Sequence, residues 1–248
     1  MWIWQDNNCI CFNKMIEKIF IKSKNGNKLA CLIAKPEKVE GLVVSSQGFG
    51  STKNTPPYQF LLNELSKLGF IVVVFEYQGL GESEGEFREK TATRDLEDLR
   101  AVIDYAYNSF EFDKEKLFVC GESFGGFTAL NLVLEDNIIK GLVLKSPVSD
   151  FEETYLYLKG CRRYFLNFDD FYEDGKKYDV YSKVSQIKIP VKIIHGDADT
   201  IVSIEQSKKL LILLPNAELK IIKGANHNFE GHKEELNSQT IKFFEALK

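Results

Sequence analysis

Six short, mainly apolar runs, at residues 41–46, 70–75, 116–120, 139–144, 191–195 and 219–222, recur along the chain without polar alternation. Runs of this kind suit strands buried on both faces. Between them lie stretches with a helical period. In 58–68 the period gathers Phe60, Leu61, Leu65 and Leu68; in 93–107 it gathers Leu96, Leu99, Val102, Ile103 and Ala106. Segments 124–134, 203–214 and 232–247 behave likewise. Strands alternating with helices imply right-handed βαβ units and a parallel sheet. Ahead of them, strand-like segments 16–22 and 28–34 flank Asn25-Gly26, a pair that tolerates the positive φ of a tight hairpin. The expected fold is therefore α/β: a mostly parallel eight-stranded sheet with helices on both faces. One domain over 15–248 is expected, after an N-terminal extension over 1–14.

One segment interrupts the rhythm. Residues 149–185 fall between two expected strands and are dense in Phe, Tyr and charge. Connections in α/β units usually take about 2–6 residues, and longer ones commonly cover a site. A lid before the seventh strand is expected here, with aromatic side chains walling an apolar pocket.

Charge and cysteine usage narrow the function classes. The formal net charge is −4, which argues against a phosphate-neutralising nucleic-acid face or a polybasic membrane anchor. No apolar run approaches the roughly 18–20 residues of a membrane span, and the N-terminus lacks the basic and apolar regions of a leader. Cys9, Cys11, Cys31, Cys120 and Cys161 are odd in number and follow no metal or redox spacing. Free thiols, a cytoplasmic location, no metal and no cofactor are the corresponding expectations.

The chemistry-bearing motif is Gly121-Glu122-Ser123-Phe124-Gly125, followed by Gly126, between an expected strand and an expected helix. That context suits a serine on a sharp strand-to-helix turn, its hydroxyl standing above the sheet. A serine hydroxyl needs a base, and the base an orienting carboxylate. Of His195, His227 and His232, His227 lies in a loop after the last strand and is the candidate base. His195 ends a buried strand, where packing or a hydrogen bond to the next loop is expected. Asp199, in the loop after that strand, is the candidate acid, with Asp197 a loop-capping carboxylate. For an oxyanion, the backbone N–H groups of Phe124 and of Phe49, in the glycine-rich loop 46–53, are the candidate donors.

The order Ser123, Asp199, His227 is that of α/β-hydrolases. From about residue 16 to 247 the chain resembles the serine hydrolases of that superfamily. It is similar to small bacterial carboxylesterases of the cinnamoyl and feruloyl esterase type, and to the serine aminopeptidase and monoglyceride-lipase group. The resemblance rests on Gln47-Gly48-Phe49-Gly50, on 79–85 (GLGESEG), on 121–126 and on 195–202 with His227. It implies an α/β-hydrolase fold and an insertion that covers the substrate's acyl part. Two departures stand out. Gln47 replaces the His of the usual His-Gly, and Glu76-Tyr77-Gln78-Gly79 lacks the Arg of Asp-x-Arg-Gly, which removes a charged tie. The expected activity is hydrolysis of small-molecule esters with short or aromatic acyl groups by a monomer or homodimer. A peptidase, thioesterase or amidase using the same residues is the alternative, and a non-catalytic ligand-binding member a more distant one.

Overall fold

The computed structural model describes residues 16–161 and 166–247. The extension over 1–14, Cys9, Cys11 and positions 162–165 of the expected lid lie outside the described residues. Eight strands form one sheet: β1 (Ile16–Lys22), β2 (Lys28–Ala34), β3 (Gly41–Ser46), β4 (Phe70–Phe75), β5 (Leu117–Glu122), β6 (Gly141–Lys145), β7 (Val191–Gly196) and β8 (Ala217–Ile222). Their order is β1-β2-β4-β3-β5-β6-β7-β8. β2 pairs antiparallel with β1 and β4, and all other pairs are parallel. The mixed α/β sheet expected from the sequence is the one observed.

This order positions the site. After β3 the chain steps outward to β4, and it then returns to the other flank of β3 as β5. The loops leaving β3 and β5 diverge, which opens a crevice at the carboxyl ends of these strands, where open α/β sheets bind ligands.

The helices are α1 (Pro56–Phe60), α2 (Ala92–Ser109), α3 (Phe124–Glu135), α4 (Phe151–Cys161), α5 (Phe168–Gly175), α6 (Val180–Lys183), α7 (Ile204–Leu213) and α8 (Lys233–Ala246). The pleat divides the apolar runs between two cores. Val72, Val74, Phe118, Cys120 and Val143 pack with Leu61, Leu65 and Phe244 on one face. Ile71, Val73, Val119, Leu142 and Leu144 pack with α2, α3 and α7 on the other. The single helix expected over 58–68 is instead α1 followed by a π-helical turn at Leu61–Leu65, where Leu61, Leu62 and Leu65 are all buried.

α2 opens at Thr91, whose side chain accepts the Arg94 N–H. Its inward face carries the expected apolar residues and also two buried carboxylates, Asp95 and Asp98. Asp98 accepts the Gln78 N–H (3.0 Å) and its Nε2–H (2.6 Å). Burial nevertheless pushes the Asp98 carboxyl up to about 7, against those hydrogen bonds. The folded state therefore holds a proton that the unfolded chain releases near pH 4. The Asp98 contribution to stability is fully present below about pH 4 and is lost as pH rises through about 7. Asp199, lowered rather than raised, acts with the opposite sign, below about pH 4. Urea midpoints are expected to fall between pH 5 and pH 8. Asp98→Asn is expected to shrink that fall without abolishing it, because burial also raises Asp95. A midpoint that rises over this range would contradict the assignment.

The segment between β6 and β7 holds α4, α5 and α6. Most of its described aromatic rings build a cluster rather than pocket walls. Phe151 lies 5.2 Å from Phe171 and 5.8 Å from Phe127, and Tyr155 lies 4.4 Å from Tyr172. Phe171 reaches Phe124 at 5.6 Å, so the cluster anchors the segment to α3. The acidic pairs Glu152-Glu153 and Asp169-Asp170 are exposed.

Candidate active site

Ser123 stands between β5 and α3 with φ 52° and ψ −120°, an uncommon conformation for a residue with a side chain. Such strain costs on the order of 1–3 kcal/mol and persists only where neighbours impose it. The Ser123 N–H donates to Lys145 O (2.9 Å), and its carbonyl accepts from Gly126 N (2.9 Å) and Val148 N (3.0 Å). The turn is also tight. A Cβ on Gly125 would fall 2.0 Å from the Ser46 carbonyl oxygen, and one on Gly121 2.8 Å from Gly126 Cα. This close approach is the physical reason for glycine on both sides of the serine.

The structure brings His227 and Asp199 to this serine. His227 Nε2 is 3.0 Å from Ser123 Oγ, and His227 Nδ1 is 2.7 Å from Asp199 Oδ2. The carboxylate is an acceptor, so Nδ1 carries the proton in the neutral ring and the Nε2 lone pair faces the hydroxyl. The other carboxylate oxygen, Oδ1, accepts the N–H groups of Ile201 (2.9 Å) and Val202 (3.0 Å). Asp197 caps the neighbouring loop, accepting the Gly224 N–H at 2.5 Å and tying it to the His227 loop. His232 stands apart, at the N-cap of α8.

His195 is closer to this chain of contacts than its sequence position suggests. Its ring is buried, and Nε2 lies 3.1 Å from Asp199 Oδ2 and 3.1 Å from the Val202 carbonyl. Both partners are acceptors, so Nε2 carries the proton. Nδ1 meets Ser207 Oγ at 2.6 Å. Asp199 Oδ2 thus receives two imidazole N–H groups. Burial works to raise the Asp199 pKa, but the hydrogen bonds from His195 and His227 outweigh it and hold the carboxyl well below its ordinary range.

The loop after β3 is braced from behind. The Gly48 N–H donates to the Tyr58 hydroxyl (3.1 Å), and this buried phenol lies beside Ser51 and Glu122. The charged tie expected to be missing at 76–79 is replaced. Glu76 is buried against the Lys53 ammonium (2.8 Å) and accepts the Glu82 N–H (2.8 Å); Lys53 also reaches Glu82 at 2.6 Å. Gln78 occupies the position of the absent arginine and binds Asp98 instead. A second buried cation, Lys90, pairs with Asp95, its ammonium over the rings of Tyr77 (4.8 Å), Phe49 (5.2 Å) and Phe124 (5.7 Å). Nothing in the local sequence marks Lys53 or Lys90, because their partners come from other elements.

Ser123 and His227 open into a pocket of about 160 Å³. Phe49, Ser51 and Glu122 are part of its lining. Val148, Val202 and the α4 residues Thr154, Tyr157, Leu158 and Cys161 supply a largely apolar remainder. Phe124 opens α3, so its N–H is among those left without an intrahelical acceptor, and the helix dipole favours negative charge there.

Comparison with known proteins fits this geometry. The chain is 31% identical over 182 residues to the zebrafish (Danio rerio) lysophosphatidylserine lipase ABHD12, a match covering 68% of this chain and 45% of that protein. It is 24% identical over 234 residues to the putative alpha/beta hydrolase L404 of Acanthamoeba polyphaga mimivirus, covering 93% and 82%. Among solved structures, Est1E from Butyrivibrio proteoclasticus with bound ferulic acid superposes with a TM-score of 0.81, at 22% identity over 91% of this chain and 97% of that one. The sequence profile of the prolyl oligopeptidase family matches residues 58–247. With an eight-stranded mixed sheet of α/β-hydrolase type and that match over most of its length, the chain belongs to the prolyl oligopeptidase family of α/β serine hydrolases.

Proposed function

We propose that the protein hydrolyses carboxylic esters through an acyl-enzyme on Ser123. The observation that carries this reading is the unbroken contact chain Ser123 Oγ–His227 Nε2, His227 Nδ1–Asp199 Oδ2 at the mouth of a pocket. Ser123 Oγ attacks the ester carbonyl while His227 takes its proton. The N–H groups of Phe49 and Phe124 receive the oxyanion. His227 then returns the proton to the departing alcohol, and water repeats the sequence on the acyl-enzyme. Asp199 holds the imidazole tautomer and stabilises its cation. The segment over 149–185 acts as the lid, with α4 covering the acyl group. The esterase and lipase relatives support the choice of bond.

Intact-mass analysis after fluorophosphonate treatment is expected to show one adduct, on Ser123. Pockets for drug-sized ligands run about 300–1,000 Å³. At about 160 Å³, p-nitrophenyl acetate and butyrate are expected to turn over faster than the octanoate. A folded protein that takes no adduct would overturn the mechanism; faster octanoate turnover would overturn the pocket size. The family match favours a second reading, a peptidase, and cleavage of an aminoacyl p-nitroanilide faster than the esters would establish it.

A further inference from the structure

We propose that Glu122 forms a cation subsite, so that the preferred ester carries a protonated amine close to its scissile carbonyl. The inference rests on the proposed ester hydrolysis and names its substrate class. Glu122 ends β5 immediately before the nucleophile and lines the pocket. Glu122 is half-buried, with Oε2 shut off from solvent on the side of the Tyr58 hydroxyl, and no Lys, Arg or His pairs with the carboxylate among the described residues. The carboxylate therefore brings an uncompensated negative charge to a largely apolar pocket, which favours a cationic donor on the ligand.

The surroundings set the sign and position of that donor. Among the described residues, the pocket lining holds no lysine, no arginine and no carboxylate besides Glu122. Lys145 is the register partner of Glu122 on β6, but it is buried, forms no ion pair with it and does not line the pocket. The Tyr58 hydroxyl, which also meets Ser51, stands beside the carboxylate as a polar neighbour without charge. Glu122 and Ser123 line the same pocket of about 160 Å³, which keeps the carboxylate within a few bonds' length of a carbonyl on Ser123. An ammonium two to four bonds from the reacting carbon fits that spacing. It can belong to the acyl group or to the alcohol.

Two isosteric pairs separate these sources. β-Alanine ethyl ester against ethyl butyrate places the charge on the acyl side. 2-(Dimethylamino)ethyl butyrate against 3-methylbutyl butyrate places it on the alcohol. kcat/KM is measured by pH-stat at pH 7 and fixed ionic strength, with fluorophosphonate labelling and a melting curve for each protein. In at least one pair the wild type is expected to favour the charged ester at least about tenfold, and in Glu122→Gln that ratio is expected to fall towards one. Glu122→Lys, if folded and labelled, is expected to favour the neutral member. Labelling of Ser123 without a preference for either charged ester overturns the cation subsite alone, as does a preference that survives in labelled Glu122→Gln. Absence of labelling in the folded wild type overturns the proposed function, and the subsite with it.

Discussion

Ser123→Ala is expected to lower ester kcat by about 10⁴-fold or more while leaving the fold intact. The size follows from the chemistry: without the hydroxyl there is no acyl-enzyme, and His227 can at best activate water. What survives is binding and oxyanion stabilisation. The fold is expected to survive because the turn is held by backbone contacts. Its Lys145, Gly126 and Val148 partners all bond the Ser123 main chain, and the neighbouring glycines admit the crossing of the β3 end. The one protein hydrogen bond of Oγ among the described residues is to His227, which retains Asp199 on its other nitrogen. Burst kinetics with p-nitrophenyl butyrate, read beside circular dichroism and a melting curve, checks both halves. A folded variant with wild-type turnover would place the nucleophile elsewhere.

The elements were legible where one physical requirement dominated. Strands buried on both faces must be apolar throughout, and Phe70–Phe75 shows this without ambiguity. The tight turn at Ser123 was legible because its glycines answer to steric crowding that any such turn imposes. Burial of charge was not legible. Asp95 and Asp98 share the apolar face of α2 because Lys90 and Gln78, from the preceding connection, reach them there. Lys53 likewise finds Glu76 only once β4 lies beside β3. The aromatic density of 149–185 pointed to pocket walls, but period and composition do not say whether a ring faces a pocket or another ring. In the structure Phe151, Phe171 and Tyr155 face other rings, whereas Tyr157 lines the pocket. His195 could be placed at a strand end, yet its bond to Asp199 depends on how the loop between them turns back.

That turn makes Asp199→Asn the more informative of the two large perturbations. Oδ1 accepts two backbone N–H groups, so an asparagine keeps its carbonyl oxygen there and presents its NH₂ where Oδ2 now stands. Two imidazole N–H groups point at that position, from His195 and His227. Donor would face donor twice. His227 relieves the conflict by moving its proton to Nε2, which then donates towards Ser123 Oγ and can no longer accept from it. A loss of about 10⁴-fold in kcat is expected from this tautomer reversal. His195 relieves it only by turning a lone pair on the Val202 carbonyl, which leaves that buried acceptor unpaired. Such an orphan costs about 1–3 kcal/mol, so Asp199→Asn is also expected to destabilise the protein measurably, unlike Ser123→Ala. Imidazole ¹⁵N shifts report the tautomers directly, and urea unfolding reports the stability. Unchanged His227 shifts in a folded but inactive variant would show that Asp199 acts by charge rather than by holding the tautomer. Wild-type activity would remove Asp199 from the mechanism altogether.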